Sequence, residues 1–175
     1  GTPNTVDLSH SYTTSGTYTV TCGSTESGTF LVANGAIKLK IVEIKKFGLA
    51  FTSFSLYGCS NVVLDSVVDV LNTANMTSFS LLFRDCSSIT TINRLNEWDI
   101  SPITTLNQCF YRCTNFNQSL SDWNTSNVTI LTNMFNNADS FNQNLNTVGS
   151  KWDVSGVTDF RSMFSGCAIF NGTLT

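Results

Sequence analysis

"WNTSNVTILTNMFNNADSFNQNL", Trp123 to Leu145, decides how this chain is built, because near-copies begin at Trp98 ("WDISPITTLNQCFYRCTNFNQSL") and at Trp152 ("WDVSGVTDFRSMFSGCAIFNGTL"). Aligned on their aromatic residue, the copies place Phe83, Phe110, Phe135 and Phe164 in one register, with steps of 27, 25 and 29 residues. Leu56 extends the series one step back. Self-similarity at 20 to 29 residues marks stacked coils, in which each copy hides its apolar face against its neighbours.

Inside the copy, Val128, Leu131, Met134, Phe135 and Ala138 recur three and four residues apart, the spacing of one helix face. Ile103, Leu106, Cys109, Phe110 and Cys113 repeat it, as do Met76, Phe79, Leu82, Phe83 and Cys86, and Val157, Phe160, Met163, Phe164 and Cys167. The spacing predicts four short helices, none stable alone in water. Each is announced by a turn phrase: Asp99 with Ser101, Asn124 with Ser126, Asp153 with Ser155. Such side chains accept from backbone N–H groups at a helix start. "FNQSL", "FNQNL" and "FNGTL", led by Phe116, Phe141 and Phe170, then read as short bent strands. Their Asn117, Asn142 and Asn171 are placed to bond backbone between layers.

Residues 1–46 do not carry the repeat. "GTYTVTC", "GTFLVA" and "AIKLKIVEI" alternate as half-buried strands do, with Ile37, Leu39 and Ile41 on one face. The expected architecture is therefore an α/β repeat solenoid: a leucine-rich-repeat-like, right-handed stack of about five short helix-strand coils. A small N-terminal β cap occupies 1–46 and the stack 47–175.

A chain of 175 residues suits one domain. Only 12% of residues are charged, with Asn, Ser and Thr abundant, so hydroxyls and amides dress the surface. Nine Lys plus Arg and a net charge of -3 argue against nucleic acid or acidic lipid as partner. No apolar run reaches membrane-spanning length. The chain opens at Gly1, as a processed product or fragment would, and it stops after "FNGTL" without a polar capping repeat. Self-assembly through that uncapped C-terminal end, or further chain, is expected.

"WDVSGVTDFRSMF", "WNTSNVTILTNMFNNADSFNQNL" and "FRDCSSIT" resemble the BspA-like leucine-rich-repeat family of surface proteins, also described as the Mycoplasma-type lipoprotein repeat. The resemblance covers about residues 44–175. "HSYTTSGTYTV", His10 to Val20, resembles a strand phrase of PKD-like β domains. Leu71 stands where later copies have Trp, and Thr147 to Lys151 enlarge the fourth copy. The resemblance implies a non-enzymatic surface protein of adhesion or recognition, in bacteria, protists or their viruses, with no catalytic residues to carry over.

The chemistry-bearing residues fit the same frame. Cys59, Cys86, Cys113 and Cys167 share one repeat position whose remaining member is Ala138, so they read as small packing residues. An inter-coil disulfide stays open, while no CxxC pair or His cluster suggests metal. His10 has no Ser or Cys nucleophile and carboxylate beside it in sequence. Asp99 and Asp153 are interchangeable with Asn124, which a general acid would not be. Sequons begin at Asn75, Asn117, Asn124, Asn127 and Asn171, three of them at positions where the repeat wants Asn for structure. The expectation is no enzyme, no cofactor and no metal.

What varies between copies is the outward pair after the aligned aromatic residue: Arg84 and Asp85, Tyr111 and Arg112, Asn136 and Asn137, Ser165 and Gly166. Tyr111 and Arg112 are of the types that dominate interfaces and are the candidate partner-binding residues. The expected function is a surface-displayed recognition or adhesion module, extracellular or at the cell surface, meeting a protein or glycan on another cell or particle. The alternative is a structural component of a virus particle, a decoration or fibre protein at the virion surface.

Overall fold

The computed structural model describes residues 28–31, 38–48, 51–145 and 151–173. "GTYTVTC" and the whole PKD-like phrase, His10 to Val20, lie outside them. The elements among the described residues are two strands, β1 (Gly28–Leu31) and β2 (Phe51–Ser55), paired in parallel, and one 3-10 turn over Leu95–Glu97. The helix-strand solenoid of leucine-rich-repeat type is therefore not what forms.

What replaces each expected helix is a run of turns. Cys109, Tyr111 and Cys113 donate their N–H to the carbonyls of Leu106, Gln108 and Phe110, each three residues back, at 3.0, 3.3 and 3.1 Å. The alternate donors leave the coil: Leu106, Gln108, Phe110 and Arg112 bond the carbonyls of Ile130, Thr132, Met134 and Asn136 at 2.9–3.0 Å. Phe79, Leu81, Phe83 and Asp85 bond the Thr105–Tyr111 segment in the same way, and Leu131, Asn133, Phe135 and Asn137 bond Asp159–Ser165. Parallel bridges join Ser78, Thr105, Ile130 and Asp159 in register. The coils stack through backbone hydrogen bonds, as strands would, although each coil is made of turns.

Two left-handed residues per copy enforce this. They are Leu81 and Asp85, Gln108 and Arg112, Asn133 and Asn137, then Ser162 and Gly166, with φ between 53° and 75°. A residue there cannot continue a right-handed helix. The spacing misleads because turns of three residues and a helix of 3.6 put apolar residues on one side at nearly the same intervals. The inward set is as expected: Val128, Leu131, Met134, Phe135 and Ala138 are all fully buried.

The rings form columns. Phe83, Phe110, Phe135 and Phe164 stack at centroid distances of 5.5, 5.7 and 5.6 Å. Phe116, Phe141 and Phe170 form a second column, 4.2, 3.9 and 4.2 Å from the first. Such pairs contribute about 0.5–1.5 kcal/mol each beyond burial. Leu71, Trp98, Trp123 and Trp152 line the opposite wall, all buried, and the Trp123 indole N–H donates to the Leu95 carbonyl at 3.1 Å.

The segments "FNQSL", "FNQNL" and "FNGTL" form no strand among their described residues. Side-chain amides add to a sparse set of backbone bonds between layers, such as Leu145 N–H to the Thr173 carbonyl at 3.0 Å: Gln118 Oε1 accepts from the Ile92 N–H at 2.7 Å, and its Nε2 donates to the Ile92 carbonyl at 3.1 Å. Asn117 Oδ1 accepts from the Asn142 N–H, and Asn142 Oδ1 from that of Asn171, so these asparagines do bond backbone between layers. The turn phrases also hold, at turn starts instead of helix starts. Asp99, Asn124 and Asp153 accept from the N–H of Ser101, Ser126 and Ser155 at 3.0, 3.2 and 2.8 Å.

Of the front segment, β1 falls within "GTFLVA", whereas "AIKLKIVEI" forms no strand among its described residues and leaves Leu39 exposed. It joins the stack by a parallel bridge from Glu43 to Val63, by the Asn61 amide donating to the Leu39 carbonyl at 2.8 Å, and by Ile41 and Ile44 packing against the core. Phe30 stacks on Phe54 at 5.2 Å, and Phe47 packs edge-on against Phe54 and Trp98. The apolar cluster then runs unbroken from Phe47 to Met163.

Leu81 tests the turn architecture. A side chain other than Gly or Asn in the left-handed region costs about 1–2 kcal/mol, so Leu81→Asn should raise the urea midpoint by about 1 kcal/mol in stability. In a helix the same change would lower it.

Candidate functional site

The left-handed residues aim the surface. The residue after each aligned Leu or Phe is Tyr57, Arg84, Tyr111, Asn136 and Ser165, and the next one, at Gly58, Asp85, Arg112, Asn137 and Gly166, always has positive φ. This bend turns the pair outward from the buried aromatic column. At Gly166 an added Cβ would meet the end of the Asn137 side chain, which would have to move aside.

Across the first coils this row becomes a strip of alternating cations and rings. Lys38 Nζ lies 4.0 Å above the Tyr57 ring, and the Arg84 guanidinium lies 5.1 Å from Tyr57 and 4.7 Å from Tyr111. Arg112 covers Tyr111 at 5.2 Å. Arg84 also donates to Gln108 Oε1 and, at 3.3 Å, to Asp85 Oδ2, while Arg112 reaches Asp85 Oδ1 at 3.9 Å. Gly58 leaves room for the Lys38 stem, whose Cδ would stand 2.9 Å from a Cβ there.

The expected pair Tyr111 and Arg112 is thus brought together, with Tyr111 half-buried and Arg112 exposed. Sequence reasoning missed Tyr57, although the register that puts Leu56 under Phe83 also puts Tyr57 under Arg84. Lys38 carries no such signal, because it lies outside the repeat.

The remaining candidates settle into the frame. Cys59, Cys86, Cys109, Cys113 and Cys167 are free thiols. Three do more than fill space: Cys86, Cys113 and Cys167 donate to the carbonyls of Leu56, Phe83 and Phe135 at 3.0, 2.9 and 2.8 Å. Burial pushes the thiols of Cys86, Cys109 and Cys113 well above their ordinary range and that of Cys59 up to about 11. Asp99 is held below the usual carboxylate range by the Ser101 hydroxyl and N–H, and Asp153 by the Ser155 N–H and hydroxyl. A general acid at neutral pH needs the opposite shift. Among the described residues no three His, Cys, Asp or Glu side chains converge, and no helix is long and apolar enough to cross a membrane.

A family model described as "Mycoplasma protein of unknown function, DUF285" matches residues 77–175, more than half of the chain, and the chain belongs to that family. No curated protein and no solved structure matches it.

The thiol geometry is directly testable. Thiolate is the reactive form and burial disfavours it, so Cys86, Cys109 and Cys113 should resist iodoacetamide even at pH 9. Denaturant should expose all three together, as peptide mass mapping would show.

Proposed function

We propose that the chain is a non-enzymatic recognition module, displayed at a cell or particle surface, that binds its partner through the strip from Lys38 and Tyr57 to Arg112. The observation that carries this reading is the strip itself. Its side chains vary between copies while the backbone beneath them is fixed, which is how repeat proteins build partner surfaces. Arg84 is held between two rings and two acceptors, so little side-chain freedom remains to be lost on binding. The likeness of the repeated phrase to BspA-like surface proteins, and of His10 to Val20 to PKD-like domains, supports surface display.

The test is an array of cell-surface proteins and glycans probed with labelled chain. Tyr111→Ala with Arg112→Ala should lose most binding to any spot the unmodified chain holds, with an unchanged melting temperature. Binding that survives the double change places recognition elsewhere and overturns the reading.

The last coil favours a second reading, assembly into a larger particle. Phe160 is 45% exposed, whereas Phe79, Leu106 and Leu131, at the same position, are fully buried. The N–H groups of Phe160, Ser162, Phe164 and Gly166 hold the donor positions that bond the next coil in every earlier copy, and they have no acceptor among the described residues. A groove of about 340 Å³ opens beside them, lined by Trp152, Val154, Phe160 and Met163. On this reading light scattering finds oligomers that Phe160→Asp dissolves. A chain that stays monomeric at high micromolar concentration removes it.

A further inference from the structure

We infer that the strip takes a linear anionic polysaccharide laid along the stack, an inference that rests on the recognition reading above and adds the chemistry of the ligand. Three observations carry it.

The first is charge. Among the described cations outside the strip, Lys45 pairs with Glu43, Arg94 with Glu97 and Arg161 with Asp159, while Lys40, Lys46 and Lys151 form neither a salt bridge nor a ring contact. In the strip Arg84 and Arg112 share the single carboxylate of Asp85, and the Lys38 ammonium rests on a ring. A chain with a net charge of -3 therefore gathers three cations against one anion at one place.

The second is geometry. Ring faces hold the guanidinium planes of Arg84 and Arg112, and Arg presents a fork of donors that suits planar and tetrahedral oxyanions. Coils joined by a parallel ladder rise about 4.8 Å each, comparable to one sugar unit. A polymer with an acidic group on successive or alternate units meets Lys38, Arg84 and Arg112 in turn.

The third is the make-up of the row past its cations. It continues as Asn136 and Asn137, then Ser165, with Gln108 beside Arg84. Amides and hydroxyls beyond the charged stretch match a ligand that is hydroxyl-rich as well as acidic. An acidic peptide would meet them only through its backbone, whereas every sugar unit brings several hydroxyls.

The probes are polygalacturonate for carboxylate, dextran sulfate for sulfate, neutral dextran, and poly-glutamate for the peptide class, with binding read by calorimetry on the full chain. At least one acidic polysaccharide should bind, neutral dextran should not, and affinity should fall as salt rises. Arg84→Gln should weaken binding about tenfold, with Arg84→Lys recovering part of it. Tyr111→Leu should weaken it about threefold through loss of the ring beneath both guanidinium groups. Arg94→Gln, with its cation outside the strip, should leave it unchanged. Poly-glutamate binding as tightly as the polysaccharides overturns the inference, as does unchanged affinity in folded Arg84→Gln and Tyr111→Leu. If Tyr111 is needed for protein spots on the array while both acidic polysaccharides are ignored, this inference falls and the recognition reading stands.

Discussion

Everything in this structure depends on the backbone N–H that points along the stack. In the coils of Phe83, Phe110 and Phe135 alternate amides bond three residues back and the others bond the next coil, as Phe110 does to Met134 at 2.9 Å. Neither a helix nor a sheet divides its donors this way. The left-handed residues make it feasible, since two of them per coil rotate every second amide outward. In return the inter-coil bonds hold Leu81, Gln108 and Arg112 in a conformation that side chains ordinarily avoid. Backbone shape and stacking are thus mutually dependent, and a lone coil would keep neither.

The apolar column answers the same constraint. With amides fixing the rise between coils, the rings of Phe110, Phe135 and Phe164 lie nearly flat on one another, 4° and 9° from parallel, while Phe83 tilts 30° from Phe110 at the front of the column. Cysteine at the third position after the ring fits for a related reason. It is small enough for the turn, and its thiol reaches the carbonyl of the preceding coil. Ala138 fills the space without making that bond, so the position tolerates both residues while favouring neither for size alone.

The register, the inward residues and the turn-forming Asp99, Asn124 and Asp153 were legible in the sequence because each is a matter of spacing and residue type. The helices were not there to be read. Apolar residues three and four apart satisfy both a helix and a chain of turns, and only the recurrence of Asn133, Asn137 and Gly166 at left-handed positions hinted at the second. Leu81, Gln108 and Ser162 at equivalent positions hid that hint. The strands expected at "FNQSL" failed for a different reason: Gln118 supplies from its side chain the donor and acceptor that a neighbouring backbone would have provided. At the surface, Tyr111 and Arg112 were visible as residue types, but the sandwich around Arg84 required knowing that Tyr57 lies one coil below and that Lys38 folds across Gly58.

The distances between aligned rings, 5.5, 5.7 and 5.6 Å, barely change although the steps between them are 27, 25 and 29 residues. The ring column keeps its spacing whatever the length of chain between its members. A gene of this kind can therefore gain or drop codons between its aligned positions and still encode a protein whose column needs no re-fitting. Heredity here works like masonry, with courses of equal height laid from stones of unequal length.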